Sequence, residues 1–161
     1  MSDSLWMIPA HRVDATTARR AILAQHQRIR ALLERARVIA DGALDEADLP
    51  PDAVASAIGD IHATLEIHLR FEEKVLVDIL NDDLPLGPAR AARLKDEHTK
   101  QRATLTHLHD EARAAPQRPI LAAKLAFLAS WLLDDMAEEE RNLLTPDVVR
   151  DDLVAVDQAT G

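Results

Sequence analysis

Apolar residues recur at alternating steps of three and four over four long stretches of this chain, and prolines fall between the stretches. Such spacing lays a single stripe along an α-helix. Helices are expected over residues 16–41, 51–81, 88–115 and 119–144. Pro50 with Pro51, Pro85 with Pro88, Pro116 with Pro119, and Pro146 mark the breaks. Pro51, Pro88 and Pro119 stand where a first helical residue tolerates a missing N–H. Connections this short force neighbouring helices to run antiparallel, so the expected fold is all-α, an up-and-down antiparallel four-helix bundle. Residues 1–161 then form one domain, with 1–15 as an N-terminal arm and 147–161 as a C-terminal tail or short helix.

The stripes are apolar except at one level. They read Ile22, His26, Ile29, Leu33, Ala36 in the first helix and Ile61, Leu65, His68, Glu72, Val75, Ile79 in the second. The third reads Ala91, Leu94, His98, Gln101, Leu105, Leu108, and the fourth Leu121, Leu125, Leu128, Leu132, Asp135, Glu139, then Asn142 or Leu143. His26, His68, Glu72, His98, Asp135 and Glu139 thus stand where Leu or Ile would be expected. A carboxylate buried without a partner is costly. Imidazoles and carboxylates together are donors that iron, manganese or zinc accept. His68 and Glu72 lie one turn apart and about 40° round the helix, and Asp135 and Glu139 repeat that relation. A metal-free polar network is the competing reading, but six ionisable groups from four helices at one level favour a metal site.

Other polar residues receive plainer readings. His62 lies about 120° round the helix from His68 and flanks the stripe. His107 and His109 straddle Leu108 and are expected to face solvent or a helix boundary, and His11 lies in the arm. Trp131, one turn before Asp135, is expected to pack in the core. In the acidic run Glu138–Glu140, Glu139 continues the stripe and Glu140 is the next candidate. Glu73 is expected at the surface or behind a ligating histidine.

Composition narrows the function. Aromatics are only 2% of 161 residues, while apolar residues are 47% and mostly Ala, Leu, Val and Ile, which suits helices over sheets. A net charge of −9 argues against a nucleic-acid-binding face. No run of 18 apolar residues is present, so no membrane span is expected. The first residues lack a secretory pattern. Without cysteine, disulfides and thiolate chemistry are excluded, and the cytoplasm is the default compartment. Without tyrosine, a tyrosyl radical is excluded.

Four segments carry a family resemblance. ILAQHQRIRALLERA around His26, LEIHLRFEEKVL with His68 and Glu72, LKDEHTKQRATL around His98, and LLDDMAEEERNLLTP resemble the four helix motifs of hemerythrin-like (HHE cation-binding) domains. The likeness covers roughly residues 16–146, and the second and fourth motifs are the more specific. The resemblance implies a four-helix bundle around a non-haem diiron centre with five histidines and two bridging carboxylates. Carried over, it gives His26 and His68 to one iron, makes Glu72 a bridge and Glu139 or Glu140 the other bridge, and gives His98 to the second iron.

Two positions depart from the family pattern, and both losses fall on the same iron. Arg102 stands where the third motif has its second histidine, and Asp135 where the fourth motif opens with histidine. A guanidinium has no lone pair for a metal. One expectation is an Arg102–Asp135 ion pair in place of a ligand pair. The other is that Asp135 binds metal while Arg102 turns outward or neutralises carboxylates. A harder, more anionic donor set favours Fe(III) or Mn over soft ions. The functional expectation is an iron protein, diiron or with one iron or manganese, that binds, senses or reacts with oxygen, peroxide or nitric oxide. The alternative is a mononuclear or metal-free bundle acting as a regulatory or interaction module. Whether it is an enzyme, and which protein partner it has, the sequence leaves open.

Overall fold

Asp14 opens the first helix. Its carboxylate accepts the Thr17 N–H at 2.7 Å and satisfies one of the donors that a first turn leaves unpaired. The computed structural model describes residues 14–82, 86–117 and 119–149. Helix α1 runs Ala15–Leu44, α2 Ala53–Asp82, α3 Gly87–Ala114 and α4 Ile120–Asn142. Pro51 falls in the turn before α2 and not at its first position, whereas Pro88 sits in the first turn of α3, where no N–H is needed. Among the described residues no helix is long and apolar enough to cross a membrane.

α3 begins hard against the end of α2. A Cβ added at Gly87 would collide with the Leu80 carbonyl oxygen, which is helix backbone and has no room to yield. Gly87→Ala is therefore expected to destabilise the fold by about 2 kcal/mol, in the range for overpacking. A circular-dichroism melt should show Tm lower by roughly 5 °C.

α1 packs against α2 and α4, and α2 packs against α3, while α3 and α4, the remaining neighbours, barely meet. The expected up-and-down bundle is thus closed along three seams and loose along the fourth. Its apolar core is in two parts. One holds Ile29, Leu33, Ile61, Leu105 and Leu125, with half-buried Trp131 packed against it. The other holds Ile22, Leu76, Leu80, Leu94 and Leu144. The polar level read from the sequence lies between them.

The stripes hold on α1 and α3 and shift on α2 and α4. Beyond Glu72, the buried residues are Leu76 and Leu80, and Val75 and Ile79 are only half-buried. On α4, Met136 takes the buried position, leaving Asp135 half-buried at the edge, and Leu143, not Asn142, turns inward. A straight helix has 3.6 residues per turn, so a strict three-four stripe drifts off the core and consecutive steps of four restore it. Past α4, Leu144 and Val149 are buried, and Arg19 Nε donates to the Leu144 carbonyl. Asp147–Val149 form turns. The rest of the expected terminal helix, the arm up to residue 13 and His11 lie outside the described residues.

Candidate metal centre

All four helices contribute to the polar level: His26 from α1, His68 and Glu72 from α2, His98 from α3 and Glu139 from α4. Glu72 is the hub. Its Oε2 lies 3.3 Å from both His68 Nε2 and His98 Nε2, and its Oε1 lies 3.7 Å from His26 Nε2. His26 Nε2 is also 3.7 Å from Glu139 Oε2. Two triads share Glu72: His26, His68, Glu72 and Glu72, His98, Glu139. Within each, donor atoms lie inside 4.8 Å of one another. Bonds of about 2.0–2.2 Å to one ion would bring neighbouring donors to roughly 3.0–3.5 Å, a small contraction from this geometry.

The imidazoles are pinned from behind. His26 Nδ1 donates to Glu140 Oε1 at 2.9 Å, His68 Nδ1 to Gln25 Oε1 at 2.8 Å, and His98 Nδ1 to Glu73 Oε1 at 3.1 Å. With the proton on Nδ1, each Nε2 presents its lone pair to the centre. Outer partners of this kind fix the tautomer and ring angle of metal-binding histidines. Glu73 has the orienting role expected of it, and Arg30 steadies Glu140 at 2.8 Å. The partner of His68 was not foreseen. Gln25, a buried amide next to His26, was the signal available for it.

Without a cation the level is poorly satisfied. His26 and Glu72 are fully buried, yet among the described residues His26 Nε2, both Glu72 oxygens and Glu139 Oε1 have no hydrogen-bond partner. Each such atom costs on the order of 1–3 kcal/mol. Burial pushes the Glu72 carboxyl up to about 8, and the negative charges of Asp135 and Glu73 add to this. Burial and then the Glu72 charge hold Glu139 well above the carboxylate range. Burial lowers His26, and burial with the neighbouring imidazoles lowers His68 further, so both favour the neutral form that binds metal. The donor set therefore fits a divalent cation.

The expected Arg102–Asp135 ion pair is not formed. Arg102 instead grips Glu73 with two bonds, Nη1–Oε1 at 2.7 Å and Nη2–Oε2 at 3.1 Å, and reaches Glu66 Oε2 at 3.2 Å. The register of α3 on α2 sets this choice, because the seam places two α2 carboxylates beside Arg102 while the loose α3–α4 seam holds Asp135 away. Asp135 accepts from Gln101 Nε2 and belongs to neither triad. Arg102 also holds the Glu73 carboxyl low, so Glu73 stays charged behind His98. Arg102→Ala should loosen His98 and weaken metal binding by about 10–100-fold, the usual effect of losing an outer partner. Competition with a chelator would measure it.

Of the remaining histidines, His62 and His109 stack on each other with ring centroids 4.5 Å apart, on the α2–α3 seam and away from the centre. His107 is exposed.

An antiparallel four-helix bundle carrying a buried His/carboxylate cluster at mid-height defines a class of metal-binding protein. The family model for the hemerythrin HHE cation binding domain matches residues 17–145, and the chain belongs to that family. Comparison with curated proteins and with solved structures finds no match.

Proposed function

We propose that this protein binds iron in a non-haem centre and that the centre binds, senses or reacts with oxygen, peroxide or nitric oxide. The observation that carries the metal reading is the set of three imidazoles, each locked through Nδ1, whose Nε2 atoms face the unpartnered carboxylate of Glu72. His26 and His68 would hold one ion and His98 a second, with Glu72 and Glu139 between the two. Bound iron supplies redox chemistry and coordination positions for a small ligand. Around it, Glu72 and Glu139 hold protons in exchange for the cation, the outer partners fix the histidines, and the two apolar clusters exclude water from above and below. Among the described residues Glu72, His98 and Glu139 would hold the second ion, a set small enough to leave room for such a ligand. The cytoplasm is the proposed place of action.

A single-ion centre is the second reading, favoured by one observation. Arg102 is committed to Glu73 and Glu66, and Asp135 stands off on Gln101, so the second position lacks two of the family's donors. Elemental analysis after loading with ferrous iron distinguishes the two readings. About two irons per chain, with near-ultraviolet absorption developing in air, is the expected result. One iron per chain selects the single-ion centre. No uptake sinks both. Manganese, which accepts the same donors, belongs in the same assay as a competitor.

A further inference from the structure

The donors of the centre are buried, so a metal ion needs a way in. Three seams of the bundle are closed by packed helices, and the α3–α4 seam is not. A cavity of about 160 Å³ lies there, and its charged lining is Arg90, Arg93 and Glu97 of α3 with Asp135, Glu138 and Glu139 of α4, four carboxylates against two guanidiniums. It has room for several waters, enough for a partly hydrated cation. Its inner wall includes Glu139, whose Oε1 is buried without a partner and which belongs to one of the two triads. Cavity and centre are therefore contiguous through one side chain.

The charges are ordered from outside inward. At the mouth, exposed Arg93 is held by Glu97 at 2.7 Å and Glu138 at 2.9 Å, which bridges α3 to α4. Deeper in, among the described residues, Asp135 accepts a hydrogen bond from the Gln101 amide, and Glu139 Oε1 has no hydrogen-bond partner. Asp135 and Glu139 are four residues apart, one turn and about 6 Å along the same helix face.

We propose that the α3–α4 cleft is the entry route for a divalent cation, with Glu97 and Glu138 drawing the ion to the mouth and Asp135 holding it in transit before it passes to Glu139. This rests on the metal-binding reading above and assigns Asp135 the role of a transit ligand that is absent from the final coordination. It also accounts for a carboxylate that is half-buried, offset from both triads and turned toward the cavity.

The test is the rate at which metal-free protein takes up Co²⁺, followed by its visible absorption in a stopped-flow instrument, with the final metal count measured separately. Glu138→Lys is expected to slow uptake about tenfold, within the range for electrostatic steering, with the final count unchanged and the difference shrinking at high salt. Asp135→Asn keeps the acceptor for Gln101 and removes the charge. It is expected to slow uptake while the loaded protein keeps the wild-type spectrum. Unchanged rates in both variants would overturn the route. A lower final count or an altered spectrum in Asp135→Asn would overturn the transit role, since Asp135 would then be a permanent ligand. If the wild-type protein takes up no metal at all, the metal-binding reading itself has failed, and that outcome is distinct from both.

Discussion

Glutamine at position 72 is expected to move metal affinity and metal-free stability in opposite directions. Glu72 touches every imidazole of the centre and is common to both triads. Glu72→Gln should therefore weaken metal binding by more than about 100-fold, beyond the effect of losing an outer partner. The same change removes a fully buried carboxyl whose two oxygens have no donor. An amide of the same shape carries no charge and can donate to Glu139. Relieving a buried, badly compensated charge is worth on the order of 1–4 kcal/mol. The metal-free variant should then melt roughly 3–10 °C above the metal-free wild type at pH 8, where Glu72 is partly ionised. Paired melts with chelator and with metal would show both effects. A variant less stable in both states would mean that Glu72 serves packing and not a cation.

Metal binding is also expected to release protons. In the metal-free fold burial raises Glu72 to about 8, above the 4.5 of an exposed glutamate, and Glu139 is raised as well. As pH climbs from about 4.5 through about 8, the unfolded chain loses these protons first, so metal-free stability declines across that interval. A cation takes the protons' place, so its apparent affinity rises over the same interval. Near pH 7 the buried histidines His26 and His68 favour the neutral form and add little. Release of about one to two protons per centre is expected there, falling as pH passes 8. Titration calorimetry in buffers of different ionisation heat would count them. An affinity independent of pH from 6 to 8 would show that the ion avoids Glu72 and Glu139.

Much of the candidate cluster was legible because a helical stripe makes an ionisable residue conspicuous. His26, His68, Glu72 and His98 each replace an aliphatic residue in a regular pattern, and the structure brings their donor atoms together with Glu139. The choice between Glu139 and Glu140 needed three dimensions, since a step of one residue separates a group facing the centre from one lying behind His26. Asp135 fitted a three-four stripe on paper, but helical drift gives the inward position to Met136. The partners of Arg102 were invisible for a different reason. Opposite charges that replace two ligands of one metal suggested each other, whereas the outcome depended on which seam is tightly packed. Gln25 lacks a charge to flag it, and only its contact with His68 reveals its use.

The two apolar clusters lie on either side of a polar layer whose innermost atoms, in the metal-free chain, lack hydrogen-bond partners among the described residues. All four helices run through that layer, so backbone continuity, more than side-chain packing, ties the two ends of the bundle together. Such an arrangement lets one end open while the other stays shut, with local opening free energies well below the global value. Cations held by the two triads, which together draw on all four helices, would couple the ends and make them open together. Metal supply would then be registered in the cooperativity of the molecule, with its average shape hardly altered.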